Sequence, residues 1–348
     1  DALYIGDAEY LWAQVIEDAR HDQLQSVYRA EVGPPQPGAL TRRDLFAGKG
    51  YLPITLLQFS RGCRFACEFC AVSAFFHRRH YCRGIRETIR EIEAQGRREL
   101  FFVDDNLLAN HEAAKALFRA LIPLDVHWVS QASLDMTRDR ELMELMVESG
   151  CLGNVIGFES ITPQSLRAMH KAPNLLDGFE GLDRLKDGLA SYEPQLAILR
   201  EYGLQTWAAF TIGHDHDTVA SIERTLDFAL ANKFTFAAFN VLMPYPGTPL
   251  YARLAAEDRL LYEGRWWLHP DYRFNYAAFR PRLMSADELT EAGFHCRATF
   301  NSVGNIIRRL FDVRTNLRSL YRMGIYLVYN RLFRQETFKK HGMRFGLH

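Results

Sequence analysis

The chain has 348 residues, 48% of them hydrophobic and 24% charged, with a formal net charge of zero. That length suits one large α/β domain with smaller appendages, and the neutral balance excludes the global basic field of a nucleic-acid binder. Six cysteines in so long a chain, three of them within positions 63–70, argue for a reducing compartment rather than a disulfide framework.

In chain order, residues 2–5 read as a strand and residues 10–20 as a helix. Residues 33–38, Gly-Pro-Pro-Gln-Pro-Gly, form a stiff linker within a segment, 33–50, that leads into the main domain. Short β-rich runs then alternate with amphipathic stretches, the signature of a parallel sheet. Strands are expected at 55–59, 100–104, 127–132, 154–159, 206–212 and 237–243. Helices are expected at 110–121, with Asn110 as N-cap, and at 138–149 and 219–232. Thr162 before Pro163 caps a further helix, and Ser285 with Glu288 spells a capping box. Residues 173–202 exceed what one crossover needs and read as an elongated or doubled helical insert.

Six β-α units with right-handed crossovers curl into a partial (β/α)6 TIM-like barrel over residues 51–256, since six strands are too few to close the usual eight. Chemistry in such folds gathers at the C-terminal ends of the strands. Residues 257–348 form a helical C-terminal extension, aromatic first and basic later.

The segment Ser60-Arg61-Gly62-Cys63-Arg64-Phe65-Ala66-Cys67-Glu68-Phe69-Cys70 follows the first barrel strand directly. Three thiolates spaced four and three residues apart on one loop can reach three irons of one cubane, leaving the fourth iron open. The alternative is a structural zinc with Cys82, His77 or His80 as fourth ligand, although no second Cys-x2-Cys pair is present. Cys151 and Cys296 read as small buried residues, and His214 and His216 as solvent-facing neighbours of Asp215.

The cysteine segment resembles the radical S-adenosylmethionine superfamily, whose hallmark is Cys-x3-Cys-x2-Cys with an aromatic residue before the last cysteine, here Phe69. The resemblance implies a 4Fe–4S cluster on Cys63, Cys67 and Cys70, with the open iron chelated by S-adenosyl-L-methionine. It further implies reductive cleavage to a 5′-deoxyadenosyl radical, fed by an electron donor such as flavodoxin or ferredoxin. Asp104 or Asp105 stands where the family binds the methionine ammonium. Glu159, in Gly157-Phe158-Glu159-Ser160, would meet the ribose or that ammonium, with an ion pair to an Arg as its structural alternative. Gln131 would face the methionine carboxylate, and Gly213 would lie beneath adenine. Met243 opens a proline-rich strand-end loop similar to one in the subgroup with cobalamin.

Residues 2–9 and the helix after them resemble the exit of a cobalamin-binding domain, so residues 1–32 are read as its remnant and the N-terminus as truncated. The branch so indicated methylates unactivated carbon. The expected activity is cobalamin-dependent C-methylation of a bulky apolar small molecule, lipid included. A cobalamin-dependent oxidation or ring closure is the alternative, and a non-catalytic iron–sulfur protein the third reading. Residues 301–348 hold ten Lys or Arg against two acids, leaving a net charge of minus eight on the rest. Helices docked on this acidic body are one reading. A peripheral anchor on anionic lipid is the other. No apolar run approaches a membrane span and no signal peptide is visible, so the expected location is cytoplasmic, on the inner membrane face under the second reading.

Overall fold

The computed structural model describes residues 2–36, 41–46, 48–52, 54–171 and 192–345. The chain opens with β1 (Leu3–Ile5), α1 (Trp12–Arg20) and β2 (Val27–Arg29), the two strands pairing in parallel as a small sheet of their own. β3 (Thr55–Leu57) begins the main sheet. β4 (Ser60–Gly62), α2 (Ala71–Phe75) and β5 (His80–Cys82) come next, with β4 and β5 paired antiparallel as a ribbon. Five helix-to-strand steps follow. α3 (Ile85–Gln95) leads to β6 (Glu99–Phe102), α4 (His111–Leu121) to β7 (His127–Ala132), and α5 (Arg140–Glu148) to β8 (Cys151–Glu159). α6 (Pro163–Ala168) and α7 (Glu193–Glu201) lead to β9 (Gln205–Ile212), and α8 (Val219–Ala231) to β10 (Phe236–Val241). The chain ends through α9 (Pro249–Ala256), α10 (Ala286–Phe300), α11 (Val303–Leu310) and α12 (Leu320–Lys340).

The main sheet has six strands in the order β10-β9-β8-β7-β6-β3, every neighbouring pair parallel. This is the α/β partial barrel that the alternation of patterns implies. Asn110 caps α4 by accepting from Ala113 N, and Ser285 with Glu288 closes a capping box on α10. Thr162 precedes Pro163 at the start of α6, yet its side chain makes no cap bond. Most of the insert expected at 173–202 lies outside the described residues, and α7 is its last part.

The two faces of the sheet differ. Leu57, Leu100, Phe102, Trp128, Ile156, Phe158, Phe210 and Phe239 point to the helical layer and are buried in the main core. Phe158, Phe210 and Phe239 stack across three adjacent strands, with ring centroids 5.7 and 5.5 Å apart. On the opposite face, Val129, Val155, Gly157, Ala209 and Ala238 are half-buried, while Leu56, Gln131 and Asn240 are exposed. Small side chains thus leave the concave face open towards the strand ends.

The tail closes the other end of that face. Tyr321 of α12 packs on His127 and donates to Glu99, Arg322 donates to Leu152 O, Tyr329 meets Trp207, and Phe333 stacks on Phe236 at 3.8 Å. Every partner sits at or near the start of a strand from β6 to β10. Fully buried Arg309 of α11 donates to Phe234 O, Thr235 O, Phe300 O and Asn330 Oδ1, and its guanidinium lies 3.7 Å from the centre of the Phe300 ring. Arg318 and Arg334 donate to Tyr202 O and Asn301 O. The basic tail is therefore docked through its arginines. No helix among the described residues is long and apolar enough to cross a membrane.

Removing Arg309 leaves several buried acceptors without their donor. Arg309→Ala should cost about 3 kcal/mol in urea denaturation, and Arg309→Lys should recover less than half, because one ammonium cannot span four divergent acceptors.

Candidate functional site

The cysteine loop hangs from the β4–β5 ribbon, a feature the sequence did not announce. β4 is polar and three residues long, and its partner lies beyond α2. Two acids just past β6 hold it. Asp104 has no solvent exposure, and its oxygens accept from Phe59 N at 3.2 Å, Ser60 Oγ at 2.5 Å and Ser60 N. Asp105 accepts from Gly62 N at 2.8 Å. Gly62 has φ of +83° and no room for a side chain, since a Cβ would sit 2.2 Å from Arg79 O. The aspartate pair therefore anchors the root of the loop through its amides, rather than leaving both carboxylates open to a ligand.

Glu68, inside the loop, is tied on both sides. Its N donates to Met169 O, its O accepts from Leu250 N, and its carboxylate meets Arg253 at 2.9 Å. Arg253 in turn pairs with Asp215 at 2.7 Å. Asp215 also binds Arg259, so it serves an ion network while His214 beside it is buried against the Phe69 ring. His214 is thus not solvent-facing, contrary to the expectation, because the turn after β9 folds it onto the loop.

Cys67 is buried, and Cys63 and Cys70 are half-buried. Burial pushes the Cys67 thiol up to about 11 and raises Cys63 as well, with Lys171 opposing the shift at both. Cys63 and Cys67 both feel the charge on Cys70, so the three sulfurs share one electrostatic neighbourhood. Thiolates in such surroundings need a cation, and soft sulfur donors suit iron. Cys82, the fourth-ligand candidate for zinc, lies opposite Ser60 at the far end of the ribbon, and its neighbours are His80 and Asp104. Among the described residues, no three His, Cys, Asp or Glu side chains close on a single ion. Three soft donors spaced along one loop fit a 4Fe–4S cluster with one open iron better than a closed zinc tetrahedron, for which Cys82 stands at the wrong end of the ribbon. Cys151 and Cys296 are buried in the core, away from the loop.

At the mouth of β8 stands Glu159, 8% exposed and at φ of +63°, where the register with β9 slips. It accepts from Lys171 Nζ at 2.9 Å and Thr211 Oγ1 at 2.7 Å. A Cβ at Gly157 would sit 2.2 Å from the Glu159 carboxylate, so only glycine leaves space for this pair. Burial works against the Lys171 charge, but Glu159 and the Cys67 and Cys63 sulfurs hold its pKa above the ordinary value. Lys171 is the site residue missed from sequence. The signal available was that a buried strand-end acid needs a partner, and the partner is a lysine twelve positions on rather than an arginine.

Gln131 is exposed on the concave face of β7. Gly213 turns the chain after β9 at φ of +103°, against Leu289 of α10. Met243 is half-buried beneath the aromatic group of Trp266, Trp267, Tyr272 and Tyr276. All three stand at strand ends on the loop side of the sheet.

Burial raises Asp104 from 3.8 to about 6, outweighing the hydrogen bonds that favour its charged form. The folded protein therefore binds this proton more tightly than the unfolded chain does. The stability it contributes is full below about pH 4 and is lost as pH rises through about 6. Melting curves of metal-free protein should show wild type losing ground relative to Asp104→Asn between those pH values, and a constant difference would contradict the assignment.

Residues 57–229 match the Radical SAM superfamily. Bacteriochlorophyllide d C-12(1)-methyltransferase of Chlorobaculum tepidum is 26% identical over 301 residues, covering 83% of this chain and 62% of that protein. Hopanoid C-2 methylase of Rhodopseudomonas palustris is 28% identical over 217 residues, 60% of this chain and 39% of that protein. The chain thus spans less than two thirds of the length of these relatives. Among solved structures, the cobalamin-dependent S-adenosylmethionine radical enzyme OxsB with aqua-cobalamin bound superposes with a TM-score of 0.52 at 12% identity. That alignment covers 81% of this chain and 46% of that one, and at such identity the likeness concerns the fold.

Proposed function

Since the chain belongs to the radical SAM superfamily, we propose that it cleaves S-adenosyl-L-methionine reductively and uses the radical for cobalamin-dependent C-methylation of a bulky apolar small molecule. When bound, the cluster supplies the electron that breaks the sulfur–C5′ bond, yielding methionine and the 5′-deoxyadenosyl radical. A small electron-carrier protein of the flavodoxin or ferredoxin kind would deliver that electron.

The observation that carries this reading is three thiols on one braced loop facing the Glu159–Lys171 pair. Cys63, Cys67 and Cys70 hold the metal, while Asp104 and Asp105 position the strand that presents them. Lys171 offers a cation for the methionine carboxylate, and Glu159 an acceptor for its ammonium or for ribose hydroxyls. Gln131 adds a second donor near the carboxylate. Phe69 and Gly213 line the adenine side, and Met243 opens the strand-end loop beside them. The open concave face, built from small side chains, leaves room for a large substrate above the cosubstrate. Cobalamin would be held by residues 1–32 together with further protein, since a lone pair of strands and a helix cannot enclose a corrin ring.

Anaerobic reconstitution tests the core of this reading. The chain should take up about four irons, with visible absorption bleached by dithionite, and should form 5′-deoxyadenosine when reduced. Cys63→Ala should abolish both, whereas Cys296→Ala should keep the iron. Stoichiometric zinc without iron would overturn the cluster, and iron without 5′-deoxyadenosine would mark a carrier. An unmethylated, oxidised product would favour oxidation or ring closure over methyl transfer.

A membrane contact, if the substrate is a lipid, would use what docking leaves outside. Val303, Ile307 and Phe311 are exposed at four-residue spacing, with Arg308 and Arg314 exposed beside them. Liposome flotation should then require anionic lipid and weaken with salt, and Ile307→Glu should abolish it without unfolding the chain.

A further inference from the structure

Gly6 turns the chain after β1 at φ of +106°, where a Cβ would sit 2.3 Å from Ala30 O. The turn delivers two acids to one guanidinium. Arg61 Nη1 lies 3.2 Å from Asp7 Oδ2, and Nη2 lies 2.6 Å from Glu9 Oε1. Asp7 also accepts from Gly33 N at 3.0 Å, and Arg61 reaches Gln58 Oε1 at 3.1 Å.

Arg61 is 8% exposed and is the middle residue of β4, two positions before Cys63. Opposite it in the ribbon is Tyr81, whose hydroxyl donates to Val32 O at 3.4 Å. The N-terminal segment therefore grips both strands from which the cysteine loop hangs. None of residues 2–36 belongs to the barrel's main core among the described residues. Its hold on the rest of the molecule falls on the ribbon, and a buried guanidinium that loses its carboxylates is costly.

We propose that Arg61 is a positioning residue through which Asp7 and Glu9 set the pose of the loop bearing Cys63, Cys67 and Cys70. This rests on the reading of those cysteines as cluster ligands. The loop has two anchors of different kinds. Asp104 and Asp105 hold its backbone from the barrel, and Arg61 holds its tilt from outside. With the outer anchor lost, the cysteines still gather iron, but the open iron meets its cosubstrate in several poses rather than one. Small displacements of this sort cost rate more than affinity.

The full chain serves for the test, with the neutral pair Asp7→Asn/Glu9→Gln, the conservative Arg61→Lys, and the exchange Glu9→Arg/Arg61→Glu. In metal-free protein, the neutral pair should speed hydrogen exchange at residues 60–62 and 80–82 about tenfold, with β7 to β9 still protected. After reconstitution it should keep the wild-type iron content. Its paramagnetic resonance signal with S-adenosyl-L-methionine should broaden into a mixture, and kcat for 5′-deoxyadenosine should fall about tenfold with KM little changed. Arg61→Lys and the exchange should each keep part of the single sharp signal that the neutral pair loses. Wild-type exchange rates and signal in the neutral pair would overturn the proposal. Loss of protection throughout β7 to β9 would also overturn it, since the acids would then support the fold at large. Wild-type protein that binds no iron would defeat the cluster reading instead, while the exchange rates would still judge the brace.

Discussion

A carboxylate sealed from solvent must be surrounded by donors, and Asp104 finds its donors on the segment that enters β4. That demand joins the barrel to the cysteine loop. The end of β6 is set by the parallel sheet, Asp104 and Asp105 extend from it, and the amides of Phe59, Ser60 and Gly62 must come to them. Once those amides are placed, β5 can pair only alongside, and the loop between the two strands is confined to the mouth of the barrel. The chemistry of the site thus inherits its location from a buried acid on the barrel side of the loop.

The Glu159–Lys171 pair works in the opposite sense. It sits at the end of a strand in a left-handed backbone conformation that a glutamate rarely adopts, with a register slip beside it and a glycine cleared to make room. Strain of this kind persists when surrounding contacts over-determine it, and it collects at working sites. Thr211 and Lys171 supply those contacts while leaving the lysine within electrostatic reach of two sulfurs.

Much of this was legible in the residues, and the rest fails for identifiable reasons. The six barrel strands are written as apolar runs between periodic helices, so their order and direction follow. Their ends shift by a few residues where polar positions such as Asp104 prolong an apparent strand beyond its last hydrogen bond. The cysteine spacing alone singles out three thiols, and the structure places all three on the loop between β4 and β5. The ribbon is hidden because Ser60-Arg61-Gly62 and His80-Tyr81-Cys82 show no apolar alternation, and their pairing depends on contacts from Asp104, Asp105 and Tyr81. His214 misleads because a histidine in a polar loop beside Asp215 looks solvated until the turn after β9 is seen to fold it onto Phe69. In the tail, spacing reveals helices but not the faces they present, and Arg309, Arg318, Arg322 and Arg334 are engaged with backbone carbonyls while Arg308 and Arg314 stay exposed.

The path of α12 has one more consequence. By lying across the strand starts from β6 to β10, it gives the concave face a floor. The strand starts from β6 to β10 are thereby shut, and the approach to the cysteine loop is left to the strand ends and to the open edges of a six-stranded sheet.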